Sequence, residues 1–132
     1  MSQRVLYDVP FLTISYDYTH DWLYADWHGQ LDDEVVVTGA LKLLELLKLE
    51  RCSKVLNDNT HIKGIWADAA QWGAQEFLPQ LYEAGCRFFA WVYSADTYSK
   101  LSAELAVERT NSGIVIMTFQ DVETAAGWLG QM

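Results

Sequence analysis

Phe88-Phe89-Ala90-Trp91-Val92-Tyr93 is an apolar run with no alternation. A strand that shows one face to water alternates with a period of two, so a run with no polar side reads as a strand covered on both faces, as central parallel strands are. Parallel neighbours need crossovers of a dozen residues or more, and the flanking sequence supplies them. Upstream, a helix is expected over roughly 65–84, closed by Gly85 at the left-handed C′ position. Pro79 should kink it or split it in two. Before it, Lys54-Val55-Leu56-Asn57-Asp58 reads as a strand that runs into a polar loop, 59–64. Downstream, Ser94 is the expected cap of a helix from about Ala95 to Glu108. Gly113 to Phe119 is the last strand, and Asp121 opens a final helix through Leu129.

The amino-terminal part has a different rhythm. Leu12, Ile14, Tyr16 and Tyr18 alternate with Thr13, Ser15 and Asp17, and Leu23, Ala25 and Trp27 share one face of a second run, 22–28. With a short connection between them, the two runs predict an antiparallel hairpin. Asp32 then caps a helix to about Glu50, whose polar stripe Glu34, Thr38, Lys42, Glu45 and Lys48 leaves a Val- and Leu-rich face to bury. The expectation is one α/β domain over 1–132, in the order ββαβαβαβα. An amino-terminal hairpin leads into a mostly parallel five-stranded sheet with about four helices.

At 132 residues, 51% of them hydrophobic, the chain can bury a core without metals or disulfides. Its net charge of −9 argues against nucleic acid or an anionic membrane as main partner, because those contacts depend on clustered Lys and Arg. Met1-Ser2-Gln3-Arg4-Val5 has no apolar run behind its basic residue, and no stretch of about 18 apolar residues occurs, so a cytoplasmic location without stable membrane insertion is expected. Cys52 and Cys86 lack metal-type spacing and read as reduced thiols. Both directly precede a strand, which would bring them to one sheet edge if those strands are neighbours.

This order of elements, with Val55-Leu56-Asn57-Asp58-Asn59-Thr60 at the end of the third strand and Phe119 followed by a helix ending in Trp128-Leu129, resembles the STAS superfamily. It is most similar to the SpoIIAA-like, or STAS/SEC14, branch. The resemblance covers nearly the whole chain and implies a sheet wound by helices, no catalytic machinery or cofactor, and a role as a regulatory or partner-switching module. The sequence departs from it at one place. Anti-sigma-factor antagonists carry a phosphorylatable Ser or Thr after an Asp at the start of the second helix, where this chain has Ala67-Asp68-Ala69-Ala70. Phosphorylation control would need Thr60 as substitute.

In open α/β sheets ligands bind beyond the carboxyl ends of the parallel strands. Those ends supply His28 from the second strand, Asp58, Asn59, Thr60 and His61 from the third, and Tyr93, Ser94 and Asp96 from the fourth, all expected to converge on one edge. His28, Asp58 and His61 are metal-ligand types without ligand spacing, so no metal is expected. Ser94, His61 and Asp58 lack the glycine-flanked serine of a nucleophile elbow. A phospho-receiver reading of Asp58 fails at Met117-Thr118, where a phosphate-pairing Lys would be needed. No catalytic residue is therefore assigned.

The six Trp and seven Tyr are more suggestive. Large rings mostly build cores. A surplus offers either Trp66 or Trp72 on a helical face, docking a protein or a second copy of the chain, or a Trp-lined pocket for a small apolar, lipid-like molecule. A non-catalytic interaction module ranks first, a carrier second, and an enzyme using the His28, Asp58 and His61 edge third. Exposed rings would favour the first, an enclosed apolar cavity the second, and converging His and Asp the third.

Overall fold

The computed structural model describes residues 3–132, so Met1 and Ser2 of the amino-terminal pentapeptide lie outside the described residues. Six strands, β1 (Gln3–Val9), β2 (Leu12–Asp17), β3 (Trp22–Gln30), β4 (Lys54–Lys63), β5 (Phe88–Val92) and β6 (Val115–Phe119), form one sheet in chain order. The first two ladders are antiparallel and the last three parallel. The helices are α1 (Asp33–Glu50), α2 (Ala67–Trp72), α3 (Leu78–Glu83), α4 (Thr97–Arg109) and α5 (Val122–Leu129).

The α/β class stands, with corrections to detail. The opening hairpin is a three-stranded meander, because Gln3–Val9 adds an edge strand and makes the sheet six-stranded. An edge strand largely exposed on both sides carries no apolar alternation to read. The loop expected over 59–64 is mostly strand, since β4 continues to Lys63. A bulge makes that possible: Asp26 pairs with Asp58 and His28 with His61, so β4 holds one residue more than β3 over that interval. The extra residue reverses the phase of the strand and returns Ile62 to the core.

One face of the sheet packs against α1 to α4 through Leu12, Ile14, Leu23, Val55, Phe89 and Trp91. α5 lies on the opposite face, where Ala125 and Leu129 meet Trp22, Leu56, Ala90 and Val92. β5 is thus covered on both sides, as its unalternating sequence requires.

Asp32 caps α1 by accepting the Val35 N–H at 2.9 Å, and Asp121 caps α5 by accepting that of Thr124 at 2.8 Å. Ser94 does not cap α4. Its hydroxyl donates to the Ile62 carbonyl at 2.7 Å, and Asp96 caps instead, accepting the Ser99 N–H at 3.1 Å. The break expected at Pro79 occurs earlier, as a π-helical turn over Gly73–Phe77 between α2 and α3. There the Leu78 N–H reaches back to the Gly73 carbonyl. Pro79 has no N–H to offer the next carbonyl, Ala74 O, which accepts the Thr110 hydroxyl from the end of α4 at 3.2 Å.

α1 crosses the sheet closely at Gly39, where a Cβ would stand 2.4 Å from the Trp27 ring and 2.9 Å from Leu12. Gly39→Ala should therefore destabilise the protein by about 1–3 kcal/mol through overpacking, despite the better helix propensity of Ala. Urea denaturation checks this: a lowered midpoint at unchanged slope is the expected outcome, and a raised midpoint would mean that the helix has room to retreat.

Candidate functional site

The residues expected at one strand-end edge are distributed over three places. Asn59, Trp66 and Trp72 face a cavity between the sheet and the helices. Asp58, Thr60, His28 and His61 stand on the opposite face of the sheet, because neighbouring residues of a strand point to opposite sides and the β4 bulge turns His61 outward beside His28. Asp96 lines a cleft of about 470 Å³ at the strand ends with Gln30, Lys63, Ile65 and Tyr98. Ser94 is buried next to that cleft with its hydroxyl committed to the Ile62 carbonyl, and Tyr93 is half-buried. The convergence on a single edge does not occur.

The cavity has the more distinctive construction. Trp27 enters it from β3, Asn57 and Asn59 from β4, Phe89 and Trp91 from β5, Trp66 from the residue before α2, Trp72 from its end, and Gly73 and Phe77 from the π-turn. Its volume is about 50 Å³. Trp27 donates its indole N–H to Asn57 Oδ1 at 2.9 Å, a buried bond between neighbouring strands. Among the described residues the indole N–H groups of Trp66 and Trp91 have no partner, although the two residues are only 4% and 6% exposed. Their rings stack at 6.5 Å between centroids. A buried donor left unpaired costs about 1–3 kcal/mol, and the cavity these two rings help to wall is lined almost wholly by apolar surface. Trp72 is half-buried and stacks on Phe77 at 5.9 Å. With Ala69 it also lines an open groove of about 400 Å³ between α1 and α2, whose other walls are Asp33, Glu34, Val37, Thr38 and Asp68. Trp72 and Ala69 are therefore walls common to the cavity and the groove.

The polar residues of the opposite face form a connected patch. Tyr24 donates its hydroxyl to Asp58 Oδ2 at 2.6 Å, and the Thr60 N–H donates to Asp58 Oδ1 at 3.0 Å, joined by the Thr60 hydroxyl on the same oxygen. His28 Nε2 approaches Asp26 Oδ2 at 3.4 Å and stacks on His61. Asp58 is thus saturated by its own neighbours. Among the described residues no three His, Cys, Asp or Glu side chains gather in a way that could hold a metal ion. Thr60 is exposed, and its hydroxyl is occupied by Asp58.

Cys52 and Cys86 are buried and unbridged. Burial pushes both thiols up to about 12, with the Asp21 and Glu50 charges adding to the effect at Cys52. Neither is a thiolate at neutral pH, so ready redox exchange is not their chemistry.

Sequence reasoning found Trp66, Trp72 and Asn59 as candidates and missed Trp27, Phe77 and Phe89 as walls of the same cavity. Alternation had placed Trp27 on the buried face of its strand; that an α1 glycine would face it has no signature in a single sequence.

No protein-family model matches the chain, and no curated protein is similar to it. Among solved structures it is similar to an uncharacterized protein of the DUF3478 family from Shewanella loihica PV-4, described as having a SpoIIAA-like fold. The likeness has a TM-score of 0.55 at 18% identity and covers 96% of this chain and 94% of that one. The fold is therefore SpoIIAA-like, as the order of elements implied. Among the described residues no helix is long and apolar enough to cross a membrane.

Asp26 provides a pH test of the polar face. Burial raises its carboxyl above the ordinary value, the nearby His28 and His61 oppose the rise without cancelling it, and the Asp58 charge adds to it. An acid whose folded pKa is raised loses stability as pH climbs from the ordinary carboxylate range through the raised value. Asp26→Asn should accordingly melt above the parent protein at neutral pH, with the gap closing as the pH falls through that range. Thermal melts over a pH series measure this, and parallel curves would show that Asp26 ionises without penalty.

Proposed function

We propose that this domain is a non-catalytic module that binds a small, largely apolar molecule in the Trp-walled cavity. The observation that carries this reading is an apolar space walled by Trp27, Trp66, Trp72 and Trp91, two of which, Trp66 and Trp91, keep a buried indole N–H with no partner among the described residues. Core packing alone would leave them at a penalty, whereas a bound acceptor would satisfy them. An interaction surface built on exposed tryptophans is less well supported, since Trp66 is buried and Trp72 half-buried.

Size limits the ligand. An engineered cavity of about 150 Å³ admits benzene, and the present 50 Å³ does not reach that. Trp72 and Ala69 wall both this space and the groove along α1 and α2, so a larger molecule would enter only if Trp72 moved. A lipid tail would require far more displacement, so a compact molecule is favoured. The π-turn that carries Gly73 and Phe77 sits beside Trp72, and such turns recur at ligand sites because they break the regular helix ladder.

Self-association is a second reading with its own observation. β6 is an open sheet edge on which Val115 and Met117 are 51% and 47% exposed, a surface that edge-to-edge pairing would cover.

Native mass spectrometry of protein purified from its host tests both readings. A stoichiometric small adduct, absent from an Ala106→Leu variant whose larger side chain fills the cavity wall, is the expected result. If the parent carries no adduct, binds none of a panel of small aromatic alcohols, and gains stability from Ala106→Leu, the cavity is a packing defect and the ligand reading fails. A dimer mass without adduct would favour the β6 edge.

A further inference from the structure

His28 and His61 stand far apart in the sequence, yet the fold makes them register partners on the adjacent parallel strands β3 and β4. The β4 bulge is the cause. In an unbroken ladder continuing from Asp26 and Asp58, the partner of His28 would be Thr60; the extra residue puts His61 there instead and turns it outward. Both imidazoles lie on the sheet face away from α1 to α4, His28 half-buried and His61 exposed. Their rings are within 11° of parallel, with centroids 6.2 Å apart. Adjacent strands run about 4.8 Å apart, so side chains at paired positions on one face reach a common point above the sheet. A second observation concerns Asp26. Its Oδ2 lies 3.4 Å from His28 Nε2, and its Oδ1 is buried with no hydrogen-bond partner among the described residues. A carboxylate with an unsatisfied oxygen beside two imidazoles is a ready counter-charge for a cation held by the rings.

We propose that His28 and His61 chelate a divalent transition-metal ion on this open face, with Asp26 as the neighbouring negative charge. Neutral imidazole suits Zn(II), Ni(II) and Cu(II), and Cu(II) binds most tightly of that series. The three side chains do not close on one point as they stand, so the protein offers two nitrogens and leaves the other positions to water. Turning the two rings toward each other brings one nitrogen of each onto the ion. Open positions make the ion exchangeable, unlike the closed sites that hold structural zinc. The pair lies across the sheet from the tryptophan-walled cavity and stands or falls separately from it.

His20, the third histidine of the chain, is an internal reference, because its Nδ1 meets Asp17 Oδ2 at 3.1 Å and its ring stacks on Trp22. The test is titration of the full chain with Cu(II) in a non-coordinating buffer, followed by electron paramagnetic resonance. One ion per chain, with splitting from two imidazole nitrogens, is expected. His28→Gln and His61→Gln, both at positions open to solvent, should each lose one nitrogen from the spectrum and with it saturable binding at stoichiometric copper. His20→Gln should leave spectrum and affinity unchanged. Zn(II), weaker in the same series, should shift the imidazole NMR signals of His28 and His61 and leave that of His20 in place. Absence of saturable binding, a one-nitrogen spectrum in the parent protein, or binding that survives the His28→Gln, His61→Gln double variant overturns the chelate.

Discussion

The indole of Trp27 is the contact on which the architecture turns. Its ring fills the place that Gly39 leaves open on α1, and its N–H bonds to the buried Asn57 side chain of the neighbouring strand. One side chain thus sets how closely α1 approaches the sheet and couples β3 to β4. Had the ring been smaller, α1 could settle onto Leu12 and the space between sheet and helices would close. Had residue 39 carried a Cβ, the helix would be held away. The ring that lies against Gly39 is also one wall of the cavity, on the strand where the antiparallel and parallel parts of the sheet join.

From that contact the molecule divides by face. The helical side is apolar almost throughout, and its few polar groups either find each other, as Trp27 and Asn57 do, or remain unsatisfied, as the Trp66 and Trp91 donors do. The opposite side is shared between α5, which covers β4 to β6 with Ala125 and Leu129, and a polar patch in which Tyr24 and Thr60 saturate Asp58. Polar groups that satisfy one another hold a fold together without inviting a ligand. Unpartnered groups occur on both faces, since Trp22 Nε1 and Asp26 Oδ1 on the α5 side also lack a partner among the described residues, and the functional reading follows the cavity for its tryptophan-walled apolar space.

Much of this was legible in the residues. The lack of alternation in Phe88–Val92 identified the doubly covered strand, Asp32 and Asp121 announced the helix starts, and the order of elements implied the SpoIIAA-like fold. What escaped notice did so for physical reasons. β1 lies at an open edge and has no buried face to imprint a pattern. Asn59 to Lys63 look like a loop by composition, yet the bulge lets polar residues of β4 occupy strand positions. Ser94 and Asp96 are both good caps, and the choice was made by the Ile62 carbonyl, which took the serine hydroxyl. The site was half legible: the surplus of aromatic residues was plain, but whether Trp66 faces water or Trp91 depends on the helix–sheet spacing that Trp27 and Gly39 set.

A ligand in the cavity would lie against the Trp66 and Trp91 indoles, and the proton–nitrogen NMR correlations of the six indole N–H groups test for this. Trp22 is a built-in control, because its N–H is also buried without a partner but lies on the α5 side of the sheet. On addition of a small aromatic alcohol such as 2-phenylethanol, the Trp66, Trp91 and Trp72 signals should shift together with one saturation curve while Trp22 and Trp128 stay in place. Unmoved Trp66 and Trp91 signals, or a uniform drift of all six, would contradict a ligand site there.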